Sequence, residues 1–544
     1  EARRCPLLIA LGLARVRLGD PGAAEATFLR AASLARELGL PEELARAALG
    51  LGEVERHSDR VVPLLEEALA ALDGADSVLR ARLLSRLAVA LYWAQPETRK
   101  RDLSDQAVAM ARRLGYVPTL AYSLSSRIAA LSGPDDVEER LAAAREMVEL
   151  AARCNNAEFA MIGHGWTIAE SLALGDVHQA RIAIAAFSDL ATSSRHPYFD
   201  WWLAAIRTME AILEGRLAEA ESLAEACFAR GQRTVAVDAT HVFAGHRYGL
   251  CMEGERHDEL EPIVHTVVAQ FPNIPSGHAA LALLHADRGR FDAAVAEMDR
   301  LAPDRFRVLP RNPEWLTSIA VLSQTSALVP GAPHAATLYE LLLPYRRRNI
   351  VAGMGVIYAG SAAHFLGILA ARLGRWDAAE EHLADALAAH ERLGATVLAA
   401  YSRYEQASLA LARGGAGDEA RAAALAAVAR RDAERCGMRR LQRLLATLPI
   451  ATSTPPAQTE RALDARRALF RKEGDYWRLG WDGAEFRLRD RVGLRYLAAL
   501  IAHPAVERLA VDLVRTSGRA SDDDAGPVDP AAVARELGRP RPLT

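Results

Sequence analysis

Apolar residues recur along most of the chain at the spacing of amphipathic helices, and short glycine turns separate the apolar runs. A phrase close to Gly-Arg-x-Asp-Ala-Ala follows several of these turns. A glycine turn followed five residues later by a small residue is typical of the joint between two packed helices. The repeated joint therefore predicts an array of helical hairpins. Copies of the phrase stand at 19–25, 175–181, 215–221, 289–295 and 374–380.

The spacing of small and large residues around each joint indicates how the helices pack. Gly12 and Ala24 lie on opposite sides of a turn, and Phe28 and Ala31 follow Ala24. The same order of small, small, large and small residues recurs at Gly367, Ala379, Leu383 and Ala386. This order matches the tetratricopeptide pattern, in which small residues lie where two helices cross and the large one fills the gap to the next repeat. The sequence predicts an all-α fold, a tetratricopeptide-like α-solenoid of roughly eleven hairpins over 1–448.

The pattern changes after Leu448-Pro449. A linker rich in Ser, Thr and Pro is expected at 449–459. Strands are predicted at 476–481 and 485–489, joined through Asp482-Gly483, then a helix at 492–502 and a further strand at 509–514. Together they predict a small α+β module over 460–515, similar to an incomplete winged helix. The acidic and Pro-rich residues 516–544 are expected to be disordered.

The segment 349–371 contains no formally charged residue and superficially resembles a membrane span. It also contains Asn349, several glycines, Ser361 and His364. Its hydropathy is therefore below that of a spanning helix. We expect a buried solenoid helix that is entered through a Gly-rich turn.

Composition argues against several classes of function. The formal net charge is −3, so no strong overall field attracts nucleic acid or membrane. The five cysteines are scattered and form no CxxC pair, which favours reduced thiols in a cytoplasmic protein. The two lysines, Lys100 and Lys472, both lie outside a GxxxxGK[ST] phosphate-binding loop. We expect a chain without catalytic residues, cofactor-binding residues or metal ligands.

One aromatic cluster is a candidate binding surface. The helix expected before the joint at Gly215 begins with a dense run of aromatic residues. First helices of such repeats line the concave groove, and Trp and Tyr contribute strongly to binding at interfaces. The alternative is core filling between irregular repeats. The candidate residues for a partner-binding groove are Tyr198, Trp201, Trp202, Met209 and His364.

Two charged or titratable clusters are further candidates. Arg346, Arg347 and Arg348 form a candidate basic patch for an acidic partner, or alternatively a solvated helix end. Six histidines fall within one short region, and they predict either surface and groove positions or a metal or pH-sensing site. They are His241, His246, His257, His265, His278 and His285.

Several phrases resemble the tetratricopeptide arms of large bacterial, actinobacterial-type regulators. The repeat phrase at 373–383 and the phrases at 470–477, 487–490 and 493–498 carry the likeness. The resemblance implies an upstream signal-transduction ATPase module, often with a LuxR-type DNA-binding or cyclase domain. That module is absent here, and the phrase Asp524–Pro527 leads into a Pro-rich tail instead of a long helix. We expect a fragment of a longer protein, onto which no catalytic residue of the family can be transferred.

Three functions remain open at this point. The leading one is a non-catalytic sensor arm of a regulatory ATPase or transcriptional regulator, which binds a protein, peptide or small-molecule inducer in its groove. The second is a free-standing tetratricopeptide scaffold for protein assembly. The third is a transcription regulator that contacts DNA through 460–515. DNA binding through this chain alone and membrane contact are not expected.

Overall fold

A computed structural model describes residues 3–18, 20–54, 59–92, 97–194, 196–233, 236–270, 275–450, 469–481 and 484–501. The chain divides into two compact units, of which unit 1 comprises Glu1–Ile450 and unit 2 comprises Ala451–Thr544. Four predicted features lie outside the described residues: residues 451–459 of the linker predicted at 449–459, the turn at Asp482-Gly483, the strand at 509–514 and the tail at 516–544.

Unit 1 is an α-solenoid of tetratricopeptide-like hairpins. Within the described ranges, eleven pairs of consecutive helices follow one another along the chain, in agreement with the predicted number. They are α1 (Arg4–Arg17) with α2 (Pro21–Glu37), α3 (Pro41–Val54) with α4 (Val62–Ala71), α5 (Val78–Ala90) with α6 (Glu97–Leu114), α7 (Val117–Ala130) with α8 (Val137–Cys154), α9 (Ala157–Leu174) with α10 (Val177–Ser194), α11 (Pro197–Glu214) with α12 (Leu217–Gly231), α13 (Ala236–Glu253) with α14 (His257–Gln270), α15 (Pro275–Asp287) with α16 (Phe291–Leu301), α18 (Trp315–Leu328) with α19 (Ala335–Leu342), α20 (Ala362–Arg372) with α21 (Trp376–Leu393), and α22 (Thr396–Arg413) with α23 (Asp418–Cys436).

Shorter elements complete the unit. A one-turn helix, α17 (Pro303–Phe306), follows α16, and α24 (Arg439–Ala446) packs against α23 after the last pair. Two 3₁₀ turns lie at Asp59–Val61 and Leu343–Tyr345.

The predicted packing of small and large residues is present. The Phe28 ring is fully buried and lies where a Cβ on Gly12 of α1 or on Gly50 of α3 would overlap it. Only glycine leaves room for this ring on both sides. Leu383 makes the same contact with Gly367 in a later hairpin. One large residue thus joins its own hairpin to the next.

The segment 349–361 differs from the expectation of a turn that leads directly into a helix. It forms a β-hairpin of β1 (Asn349–Ala352) and β2 (Ile357–Ser361), which are antiparallel, and α20 begins only at Ala362. The turn between the strands contains Gly353 and Gly355, both with positive φ, a conformation in which glycine is not strained. β-Branched and aromatic residues on either side of this turn favour strands over helix. None of the helices in the described ranges combines the length and apolar character needed to cross a bilayer.

Hairpins that are distant in sequence contact one another. Strand β1 packs against α9, β2 packs against α11 and α13, and α22 packs against α11. An ion pair also joins Arg311 to Asp135, at 2.8 Å. Hairpins that are distant in sequence therefore pack together around the concave side of unit 1.

Unit 2 contains a three-stranded antiparallel sheet and one helix in the ranges 469–481 and 484–501. The sheet order is β3 (Leu469–Glu473), β4 (Tyr476–Trp481) and β5 (Ala484–Arg489), followed by α25 (Val492–Ile501). Strands β4 and β5 and the helix were predicted from the sequence, and β3 was not. Asp490 accepts a hydrogen bond from Trp477 Nε1 at 2.7 Å and pairs with Arg495, which ties the sheet to the helix.

Candidate functional site

The first helices of the hairpins surround a cavity of about 2160 Å³ inside unit 1. We call it the inner cavity. Its wall consists mainly of side chains from α3, α5, α7, α9, α11, α13, α15, α18 and α22, together with the β1–β2 hairpin. This is the concave side of the array, where the sequence predicts a partner groove.

Four of the five predicted groove residues line this cavity. Tyr198, Trp201, Trp202 and His364 contribute to its wall, whereas Met209 is buried in the adjoining hydrophobic core and is not part of the wall. Trp201 and Trp202 are each only 1% exposed, so both interpretations of the aromatic cluster, groove lining and core filling, apply to them. A binding role of these residues stays a prediction.

Trp202 is positioned by two contacts. Its ring occupies the space beside Gly165 of α9, where a Cβ would overlap the ring. Its Nε1 donates a hydrogen bond of 3.1 Å to the main-chain carbonyl of Met354, in the hairpin turn. The ring of Trp202 therefore packs in the core, and its N–H binds the β-hairpin.

His246 of α13 makes a second main-chain contact to the same turn. Its Nε2 lies 2.9 Å from the carbonyl oxygen of Val356. Because a carbonyl can only accept, Nε2 carries the hydrogen in this contact. Burial lowers the pKa of His246 to about 4, and the bond to Val356 only partly opposes this, so the imidazole is neutral at pH 7.

The β-hairpin also donates one hydrogen bond to a helix. Asn349 Nδ2 donates to the main-chain carbonyl of Leu172, at 2.7 Å, near the end of α9. The segment 349–361 is thus an extended piece of chain held between helices by main-chain hydrogen bonds. The sequence predicts a turn and a helix here, and the prediction is wrong for 349–361, although the Gly-Met-Gly turn between two β-branched runs indicates strands.

A polar cluster that we call the latch consists of Glu253, Asp287, Tyr401 and Arg440, and three of its members, all except Asp287, line the inner cavity. Tyr401 donates to Glu253 Oε1 at 2.8 Å, and Arg440 donates to Tyr401 at 3.1 Å and to Asp287 at 2.9 Å. The latch joins α13 and α15 to α22 and α24, which are far away in sequence. Burial raises the pKa of Glu253 to about 7, against the opposing effect of Arg440.

A buried ion pair forms another part of the cavity wall. Arg140 and Glu170 pair at 2.7 Å, and Arg140 also donates to the carbonyls of Leu131 and Gly133. Burial raises the pKa of Glu170, while Arg140 opposes that effect. The sequence holds no local indication of this pair, because its members lie on consecutive hairpins.

The three arginines of the candidate basic patch have different surroundings in the structure. Arg346 and Arg347 are exposed, and Arg348 pairs with Glu138 and lines the inner cavity. Binding of an acidic partner by these residues stays a prediction.

The histidines that cluster in the sequence do not meet at one site in the structure. His257 bonds to Asp287 at 2.9 Å and His278 to Glu297 at 2.8 Å, in separate places. Across the residues that the structure describes, no three His, Cys, Asp or Glu side chains are arranged to hold a metal ion.

No protein-family model matches the chain, and no curated protein matches it. Solved structures do match it. A crystal structure of a Rap protein complexed with competence and sporulation factor matches 72% of this chain and 99% of its own, with 11% identity and a TM-score of 0.35. A circular tandem repeat protein with novel repeat topology matches 81% of this chain and 87% of its own, with 15% identity and a TM-score of 0.13.

Proposed function

We propose that unit 1 is a non-catalytic scaffold that binds an extended segment of a protein partner in the inner cavity. The observation that carries the proposal is the hairpin at 349–361. It is an extended segment already held inside the array by side chains of the first helices, through its main-chain carbonyls.

Main-chain groups of a bound peptide lose their hydrogen bonds to water. An extended peptide that leaves water must find partners for its N–H and C=O groups, or it loses about 1–3 kcal/mol for each one. Trp202 and His246 supply such partners to the hairpin. The remaining volume of about 2160 Å³ is larger than most small-molecule pockets and suits several residues of chain.

A random peptide library displayed on phage tests the proposal. Panning on the immobilised full chain should enrich peptides that bind in calorimetric titration with micromolar affinity, about −8 kcal/mol. Failure to enrich any peptide that binds the chain in solution would contradict the proposal.

A narrower hypothesis is that unit 1 acts as the sensor arm of a bacterial regulatory ATPase. It rests on the sequence phrases at 373–383 and 470–477. The intact mass of the native protein, compared with the upstream coding DNA, tests it. An upstream module with GxxxxGK[ST] is the expected result, and a native chain that begins near Glu1 would exclude this hypothesis but not the scaffold.

A further inference from the structure

Two imidazoles and one hydroxyl form a hydrogen-bonded chain beside the inner cavity. The backbone N–H of Ser361 donates to His390 Nε2 at 2.9 Å. His390 Nδ1 lies 3.0 Å from Ser402 Oγ, and Ser402 Oγ lies 3.3 Å from His364 Nδ1. All three side chains are at least nine-tenths buried, and His364 lines the cavity.

The direction of each bond follows from what each group can do. A backbone N–H only donates, so His390 Nε2 accepts and the His390 proton lies on Nδ1. His390 Nδ1–H is therefore the donor of this ring, and its acceptors are Ser402 Oγ and the main chain of Leu398. Within the described residues, the contacts of the Ser402 hydroxyl are these two ring nitrogens, and because His390 Nδ1 carries a hydrogen, His364 Nδ1 is the acceptor that they offer to the hydroxyl. The neutral His364 ring then carries its proton on Nε2.

Both imidazoles are neutral at pH 7. Burial lowers the pKa of His364 to about 4. Burial also lowers the pKa of His390 to about 3, and a hydrogen bond to the main chain of Leu398 opposes this only in part. This arrangement favours the tautomer of His364 that carries its proton on Nε2.

In the parts of the chain that the structure describes, the hydrogen bond of the His364 ring is the one from Nδ1 to Ser402, and His364 lines the cavity. The two comparable donors of this wall, Trp202 Nε1 and His246 Nε2, both bind main-chain carbonyls of an extended segment. A third donor of the same kind is thus available to a segment that enters from outside.

We propose that His364 Nε2–H is a specific binding site for a main-chain carbonyl of the partner segment, and that Ser402 and His390 are positioning residues that keep the proton on Nε2. The inference rests on the proposed function and deepens it, because it names the group that the cavity recognises. It selects an extended peptide over a ligand that lacks a carbonyl acceptor.

The first test is nitrogen-15 NMR of the histidine rings in the free, full chain. The expected result is the Nε2–H tautomer for His364 at pH 7, and a mixture of tautomers in Ser402→Ala. A neutral Nδ1–H tautomer or a protonated ring at pH 7 would overturn the inference. This readout does not depend on any ligand.

The second test measures affinity for the peptides enriched by panning. His364→Leu removes the donor and should weaken binding about tenfold, whereas His364→Gln keeps an N–H at a similar position and should stay within about threefold. His382→Leu is the matched control, because His382 is also buried in the solenoid but lies outside the cavity wall. It should leave affinity unchanged.

The outcomes separate the two proposals. If panning enriches no binding peptide, the proposed function fails and this inference falls with it. If peptides bind and His364→Leu binds them as tightly as the unaltered chain, the carbonyl site is wrong and the proposed function stands. Loss in His364→Leu with retention in His364→Gln and His382→Leu supports the site.

Discussion

At the scale of single residues, the glycines that end helices have two separate reasons to be glycine. Gly215 and Gly374 both adopt positive φ, which costs other residues conformational strain. Their surroundings differ. A Cβ on Gly215 would overlap Cys436 Sγ, whereas a Cβ on Gly374 would have no atom within 4 Å. The first glycine therefore serves a turn and a contact between distant hairpins, and the second serves only a turn.

This difference predicts unequal costs of the same substitution. Gly374→Ala should lower the free energy of unfolding by about 1–2 kcal/mol, the strain of a left-handed backbone. Gly215→Ala should cost about 3 kcal/mol, because overlap with Cys436 adds to that strain. Urea denaturation of both variants measures the two costs. Equal values would contradict the contact with Cys436.

Residue type alone does not distinguish the positions of the candidate site that pack in the core from those that line the groove. Trp201 and Trp202 were predicted beside the groove from their position on a first helix, and they do lie in the cavity wall. Met209 satisfies the same helical pattern, yet it faces the core. Helix periodicity predicts the buried face of a helix to within about one residue. Whether a residue on that face lines a cavity or packs in the core depends on neighbours that are distant in sequence.

At the scale of elements, the helical hairpins were predictable and the β-hairpin was not. The spacing of Gly12, Ala24 and Phe28 is a local pattern that repeats, so it can be recognised without the fold. Strands β1 and β2 have four and five residues, and they pack against helices far away along the chain. Short apolar runs of this kind do not distinguish strand from buried helix.

The anchoring of the β-hairpin predicts a difference between two adjacent tryptophans. Trp202→Phe removes the donor to the Met354 carbonyl, and should increase the hydrogen-exchange rates of amides in 349–361 by about tenfold. Trp201→Phe is the matched control: it is as deeply buried, and its Nε1 has no partner among the described residues.

Hydrogen exchange read by mass spectrometry makes the comparison. Similar rates across 349–361 in both variants would show that ring packing, and not the hydrogen bond, holds the hairpin. Faster exchange in Trp202→Phe alone would support the bond.

At the scale of the whole of unit 1, the contacts between distant hairpins could not be predicted from the sequence. The latch joins Arg440 to Asp287, residues 153 positions apart, and Tyr401 to Glu253, residues 148 positions apart. No periodicity along the chain marks these pairs, because solenoid patterns report contacts between neighbouring hairpins only.

The latch predicts a pH dependence of stability. Burial raises the pKa of Glu253 from an ordinary value of 4.5 to about 7. Between these two values the folded chain holds a proton that the unfolded chain has lost, so stability falls as pH rises through this window. Glu253→Gln mimics the protonated form and keeps the acceptor for Tyr401.

We therefore expect Glu253→Gln to have the melting temperature of the unaltered chain near pH 5 and a higher one near pH 8. Taking the difference between the two proteins at each pH removes the effect of the other titrating groups. Glu37→Gln, at an exposed position of α2, is the control and should show no such trend. If the difference in melting temperature between Glu253→Gln and the unaltered chain stays constant from pH 5 to pH 8, Glu253 does not titrate in this range and the prediction is wrong.

The central claim is that the inner cavity is the binding site, and blocking it is the most direct test. Gly249 of α13 lines the cavity and has open space where a Cβ would be, so Gly249→Trp places a large side chain at the cavity wall without an initial clash at Cβ. Gly22 of α2 has the same open surroundings but lies outside the cavity wall, so Gly22→Trp is the matched control. Peptides enriched on the unaltered chain are titrated calorimetrically into both variants, after circular dichroism shows equal helix content. We predict at least about a tenfold loss of affinity in Gly249→Trp and none in Gly22→Trp; equal affinity in both variants would contradict the account.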